Sequence, residues 1–416
     1  MKGILVVIDG MGDLPVKQLN NKTPLEAAEK PNLDYFAERG RLGYVYPIAE
    51  NNVPESNGAI LSLLGNNPTL STRGRLEAIG AGIEMQRGDL ALRVNFATID
   101  NLESENIIDR RAGRTLTTKE ALILAKAINS RVKLSCPFIF KNTVQHRGVL
   151  VLKGGFSDNI TNTDPEYRVK GKFELRDKLK FSEPLDEDEN TKYTANIVNE
   201  FIEQSYKILD QHPVNQNRRK KGLMPANIIL TRDAGTEKPE VKKLANWCNV
   251  AYMPLEIGIA KAAGMGLFSF NYPPLRNYDV YRNLHDGLNA AINFSIKVLK
   301  SQHKKYDYAY IHFKETDIPG HDNKPLEKKA MIALLDKRFF SFLKIFCEKN
   351  KIKLAVTADH ATPCIMKSHS SHPVPLLLFN PAAKQLKQQV YSERDAVKGV
   401  LGKIYGQELM AKIGFT

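Results

Sequence analysis

L-A-V-T-A-D-H-A-T-P-C-I-M-K-S-H-S-S-H-P-V-P, residues 354–375, opens as an apolar run and turns abruptly polar. Leu354 to Thr357 has the character of a buried strand. Asp359 and His360 come together at its end, and His369 follows one loop later. In open α/β sheets ligands lie beyond the carboxyl ends of strands, and a carboxylate released there beside an imidazole suits a divalent cation. For this stretch alone, a buried hydrogen-bonded Asp–His pair is the alternative.

Two more stretches share the plan. M-K-G-I-L-V-V-I-D-G-M-G carries an apolar strand from Ile4 to Ile8 that ends in Asp9, and D-Y-A-Y-I-H-F-K-E-T-D-I-P-G-H-D leads from a strand ending near Phe313 into Asp317 and His321. If the three strands are parallel neighbours, Asp9, Asp317, His321, Asp359, His360 and His369 converge on one rim. That is enough for two metal ions.

Composition narrows the field. A chain of 416 residues, 42% of them hydrophobic, can build two or three domains with substantial cores. Sixty basic against 46 acidic residues give a net charge of +14, which suits nucleic acid, a membrane surface or a small anion. The densest basic cluster, Arg218 to Lys221, reads as a solvated linker or an anion-facing loop, with no aromatic interleaving of a nucleic-acid module. The four cysteines are dispersed, which argues against disulfides and thiolate zinc. The N-terminal apolar run is too short for a signal peptide, and no run reaches the roughly 20 apolar residues of a membrane span. The expectation is a cytoplasmic protein that binds neither nucleic acid nor membrane.

Further motifs suggest an anionic ligand. Ser56, in V-P-E-S-N-G-A-I-L-S-L-L-G, stands just before an apolar helical run. It is either a helix N-cap or a nucleophile whose alkoxide a nearby metal stabilises. Arg110, Arg111 and Arg114 crowd a loop ahead of a helix that starts near Thr117, where guanidinium forks can grip phosphate or carboxylate. From Val132 to Leu209 the pattern changes to strands around His146 and Arg147, a polar stretch and an amphipathic helix. This reads as an inserted domain, with a linker at 213–222 returning the chain to strands.

The ordered blocks D-G-M-G-D, S-N-G-A-I-L-S-L-L-G, L-E-A-I-G-A-G-I-E, N-F-A-T-I-D, D-R-R-A-G-R, H-P-V-N, P-A-N-I-I-L, T-D-I-P-G-H-D and T-A-D-H-A-T-P-C with H-S-S-H-P-V-P resemble, across nearly the whole chain, the archaeal-type 2,3-bisphosphoglycerate-independent phosphoglycerate mutases of the alkaline phosphatase superfamily. The resemblance implies an α/β fold: an alkaline-phosphatase-like core with a mostly parallel central sheet flanked by helices, interrupted by a smaller α+β phosphotransferase domain; the change in pattern and the basic linker set that insert at 89–222, leaving 1–88 and 223–416 to the core. It implies interconversion of 3- and 2-phosphoglycerate in glycolysis and gluconeogenesis through a phosphoserine on Ser56. Asp9, Ser56, Asp359 and His360 would hold one divalent ion and Asp317, His321 and His369 a second, as manganese, zinc, cobalt or magnesium. No bisphosphoglycerate cofactor is implied. Arg110, Arg111, Arg114, His146 and Arg147 match substrate-contact blocks for a small anionic phosphoester. The chain is expected as a monomer or homo-oligomer.

Departures from the pattern accompany the match. Asn57 stands where an acidic residue is usual, Ile60 where His or Asn is, His372 where Asp is, and Ile257 where a lysine aligns, with Lys261 as a substitute cation if the alignment slips. R-G-A-G appears as Arg232-Asp233-Ala234-Gly235. These leave room for a phosphatase, a mutase of another small phosphoester or a non-catalytic paralogue.

Overall fold

The computed structural model describes residues 1–165, 178–383 and 389–415. Thirteen strands are present among them: β1 (Gly3–Ile8), β2 (Gly40–Tyr46), β3 (Leu90–Ile99), β4 (Ile107–Asp109), β5 (Phe138–Asn142), β6 (Arg147–Leu152), β7 (Ile228–Gly235), β8 (Trp247–Val250), β9 (Gly266–Phe268), β10 (Tyr308–Phe313), β11 (Lys353–Thr357), β12 (Val374–Phe379) and β13 (Gly402–Tyr405). Eight form one sheet in the order β13-β2-β12-β11-β1-β10-β8-β9. Only β12 runs against the rest.

β1 and β10 are buried at every position, as expected for strands covered on both faces by helices. Ile4 to Ile8 joins Phe313, Leu354, Ala355 and Val356 in the main core. β1 pairs in parallel with both β10 and β11, setting Val7 opposite His312 on one side and Thr357 on the other. The three strands therefore end together, and Asp9, Lys314 and Asp359 emerge on one rim.

The second sheet is antiparallel, in the order β4-β3-β6-β5 with β7 on the other side of β3. The helices Thr118–Arg131 and Glu189–Asp210 supply apolar residues, among them Leu124, Ile128, Phe201 and Ile202, to a separate core beneath it. This smaller lobe does not end at residue 222. β7 lies later and buries Ile228, Ile229 and Leu230 against β3, so the sheet continues to Gly235. The basic cluster is not a solvated linker either. Pro213–Lys220 is a helix, and the Arg218 side chain is wholly buried, donating to Thr115 Oγ1 at 2.8 Å and to Met224 O at 2.9 Å.

Two helices join the lobes. Arg73–Gly80 packs against Pro254–Ala263 of the large lobe so closely that a β-carbon on Gly80 would lie 1.8 Å from Pro254 O, and one on Gly258 1.9 Å from Leu76 O. The same helix presses on the small sheet at Gly74, where a β-carbon would come 2.4 Å from Asp233 O. Among the described residues no helix is long and apolar enough to cross a membrane, and all four cysteines are free.

Candidate active site

Strand register brings the predicted acidic and imidazole groups together. His360 Nε2 lies 3.3 Å from Asp9 Oδ1, 3.4 Å from Asp359 Oδ2 and 3.2 Å from Ser56 Oγ. Beside it, Asp317 Oδ2 is 3.3 Å from His321 Nε2, and Asp317 Oδ1 is 3.7 Å from His369 Nε2. The two sets abut, because the His360 and His369 rings stack with centroids 3.6 Å apart. Thr362 links them, donating to Asp317 Oδ1 at 2.7 Å and accepting from His360 Nδ1 at 3.0 Å.

Ser56 is not a helix cap. It is the first residue of the helix Ser56–Leu63, whose capping position, Glu55, makes no side-chain cap bond. Its hydroxyl faces His360 and is nearly buried.

The residues suit divalent cations. Asp9 Oδ1, Asp359 Oδ2 and His312 Nε2 are buried without a hydrogen bond, which is costly for such groups unless a cation satisfies them. Burial lowers His312 to about 4 and His360 to about 3, so both imidazoles are neutral and able to ligate near pH 7. Burial and the adjacent Asp359 raise Asp9. Burial alone would raise Asp359 as well, but His360, His312 and Lys314 outweigh it and hold that carboxyl low.

Lys314 and Glu256 were absent from the expected set. The Lys314 ammonium contacts Asp9 Oδ2 and lies 2.9 Å from Glu256 Oε1. Burial opposes its charge, yet Asp9 and Glu256 prevail and keep it protonated. Lys261 does not act here, since its Nζ donates to Ile79 O at an exposed position.

A cavity of about 560 Å³ opens over the rim between the lobes. Arg110, Arg111, Arg114, His146 and Arg147 all line it, joined by Arg232 of the departing R-D-A-G block and by Arg73 and Arg93, which were not among the expected substrate contacts. Several guanidiniums are held by carboxylates: Arg73 Nε 2.7 Å from Glu77 Oε1, Arg110 Nε 2.6 Å from Asp164 Oδ1, and Arg114 Nη1 2.6 Å from Asp322 Oδ2. The last contact, with Gln145 Nε2 donating to Asn283 Oδ1 at 2.8 Å, ties the small lobe to the large one. Burial and Arg111 pull Arg147 down to about 10. Burial and the guanidiniums of Arg147, Arg111 and Arg114 push His146 well below the ordinary histidine range. A pocket so rich in positive charge fits an anion.

A family model described as "2,3-bisphosphoglycerate-independent phosphoglycerate mutase" matches residues 37–215, and one described as "Metalloenzyme superfamily" matches residues 276–415. A protein of Pyrococcus horikoshii named 2,3-bisphosphoglycerate-independent phosphoglycerate mutase is 39% identical over 98% of this chain and 95% of its own length. The chain belongs to this phosphoglycerate mutase family. A relative of the same name from Methanosphaera stadtmanae is 40% identical over 99% of this chain and 96% of its own. Among solved structures, the PH0037 protein from Pyrococcus horikoshii covers 100% of this chain and 98% of its own with a TM-score of 0.74 and 30% identity. The cofactor-independent phosphoglycerate mutase from Thermoplasma acidophilum gives a TM-score of 0.56 at 28% identity, covering 99% and 98%.

Within the phosphoglycerate mutase frame, the departures occupy different settings. Ile60 is fully buried in the main core, away from the cavity lining. His372 lines the cavity, its Nδ1 3.0 Å from Ser370 Oγ. Asn57, next to Ser56, is half-buried.

Proposed function

We propose that this chain interconverts 3-phosphoglycerate and 2-phosphoglycerate without a bisphosphoglycerate cofactor, through a phosphoserine on Ser56. The observation that carries the reading is the Ser56 hydroxyl set against His360 Nε2, which itself faces Asp9 and Asp359, with Ser56 and Asp9 lining an arginine-rich cavity. Names borne by relatives over nearly the full length support it.

Asp9, Ser56, Asp359 and His360 would hold one divalent ion, and Asp317, His321 and His369 the other. Such ions, when bound, supply positive charge to the serine oxygen and to the transferring phosphoryl group. Ser56 Oγ then forms a bond to phosphorus as the bond from phosphorus to the 3-oxygen of glycerate breaks, the serine proton being made good on the departing 3-oxygen. The glycerate turns, and its 2-hydroxyl oxygen gives up its proton and takes the phosphoryl group back as Ser56 Oγ is reprotonated. Arg111, Arg147 and Lys314 neutralise the anion, while His146, held neutral, adds hydrogen bonding without further charge. The ties of Arg114 to Asp322 and Gln145 to Asn283 hold the lobes together over the substrate. That excludes water and separates isomerisation from hydrolysis.

Manganese, zinc, cobalt and magnesium all suit this donor set, and the proposed activity goes with a cytoplasmic protein. The test is turnover of 3-phosphoglycerate by purified protein with each metal and with chelator. Appearance of 2-phosphoglycerate without free phosphate is expected. Release of one phosphate per substrate consumed would instead identify a phosphatase, and no turnover with any of the four metals would remove the reading.

A further inference from the structure

Four histidines at the site share one arrangement. His321 Nδ1 donates to Lys367 O at 3.0 Å, His369 Nδ1 to Pro54 O at 2.9 Å, and His360 Nδ1 to Thr362 Oγ1 at 3.0 Å. Each leaves Nε2 facing carboxylates. His312 is the fourth: its Nδ1 is 3.1 Å from the Tyr310 hydroxyl, and its Nε2 is 3.8 Å from Asp9 Oδ2 and 3.8 Å from Asp359 Oδ2. A metal-binding imidazole commonly donates its other nitrogen to an oxygen, fixing the tautomer and freeing the coordinating lone pair. We infer that His312 is an additional nitrogen ligand of the ion held by Asp9 and Asp359.

Three features argue against a merely structural histidine. The side chain is 1% exposed and Nε2 has no hydrogen-bond partner, so a packing role would leave a buried polar atom unsatisfied. Donors 3.8 Å apart can each reach one shared ion at the usual distance of about 2.1 Å. Strand geometry also aims the ring: Val7 lies opposite His312 and Thr357, and residues two further along each strand, Asp9 and Asp359, share its face. Beyond the Tyr310 contact, Glu256 Oε1 lies 4.0 Å from His312 Nδ1 and 2.9 Å from the Lys314 ammonium.

The inference rests on the two-ion reading, and one labelling experiment separates them. Full-length protein with ¹⁵N-labelled histidine is titrated with zinc, and the Nε2 resonances are followed among its nine histidines. Four, from His312, His321, His360 and His369, are expected to move to the metal-bound range at a stoichiometry of two zinc ions. Assignment uses His312→Asn, which is expected to lose one of the four signals and weaken one of the two binding events at least tenfold. Three shifted resonances with two bound ions would overturn the role of His312 while leaving the two-ion site standing. Uptake of no zinc would defeat the two-ion reading itself. Should His312→Asn fail to fold, the wild-type count of three or four still decides.

Discussion

Ser56 Oγ lies 3.2 Å from His360 Nε2, although 304 positions separate the two residues. The serine begins the helix after β2 and the histidine follows β11, two strands that stand on either side of β12 in the large sheet. Since Ser56 caps nothing, Ser56→Ala should lower the stability of the metal-free protein by no more than about 0.5–1.5 kcal/mol, the worth of its single hydrogen bond to His360. Transfer should vanish, and mass spectrometry of rapidly quenched protein should find phosphoserine at Ser56 in the wild type alone. Asp359→Asn should weaken divalent-ion affinity and turnover together. Near-normal turnover in Ser56→Ala would sink the nucleophile assignment.

The contact between Gly80 and Gly258 predicts a coupling of stability to catalysis. A methyl group at either position enters a backbone carbonyl's space, and overpacking of this kind costs about 1–3 kcal/mol or more. The helix that would be pushed also carries Arg73 and Glu77 into the cavity. Gly258→Ala should therefore lower the melting temperature and raise KM for phosphoglycerate. Unchanged values of both would show that the helices can separate freely.

Much of this site was legible because its groups follow strands. Asp9, Asp317, His321, Asp359 and His360 are polar residues at abrupt ends of apolar runs, and parallel pairing does the rest. The helix start near Thr117 was legible for a similarly local reason, as Thr117 forms a capping box with Glu120. His312 was hidden by lying inside Y-A-Y-I-H-F, where a lone histidine reads as core. Its place beside the site comes from the pairing register that sets it opposite Val7, which no spacing along its own strand encodes. Arg73, Arg93 and Arg232 come from a helix and two strands, so no local spacing marks them as a group. The end of the small lobe was missed because β7 pairs with β3 across more than a hundred intervening residues, a contact without a local signature.

Behind the metal-facing loop, Lys328 is wholly buried and its ammonium donates to Asp13 Oδ2 at 2.8 Å, to Thr362 O at 3.0 Å and to Gly12 O at 3.2 Å. These bonds pin the turn after Asp9 to the segment after His360. Lys328→Met leaves the Asp13 carboxylate buried without its cation, a loss of about 3–5 kcal/mol. Denaturant unfolding should show that loss, with divalent-ion affinity reduced in the protein that remains folded. A change below about 1 kcal/mol would mean that the loop does not depend on the pair.

His146 gives the chain a specific sensitivity to acid. It is 3% exposed, and its Nδ1 has no hydrogen-bond partner. Burial and then Arg147, Arg111 and Arg114 hold it well below its ordinary value near 6.5. The unfolded chain binds a proton there below about pH 6.5, and the folded chain refuses it, so unfolding takes up protons in that range. The stability is present in full above pH 6.5 and falls as the pH drops, with a slope of at most about 1.4 kcal/mol per pH unit from this one group. His312 and His360 are depressed too, so the comparison needs a variant. His146→Gln should flatten the decline between pH 6.5 and 5 by this one-histidine share while leaving the rest of the profile in place. A phosphoglycerate anion among the guanidiniums should have a related effect, because it offsets the positive field that keeps His146 neutral. Denaturant-derived stability for wild type and His146→Gln, each at several pH values with and without ligand, tests both; parallel profiles without ligand would show that His146 titrates alike in the folded and unfolded chain.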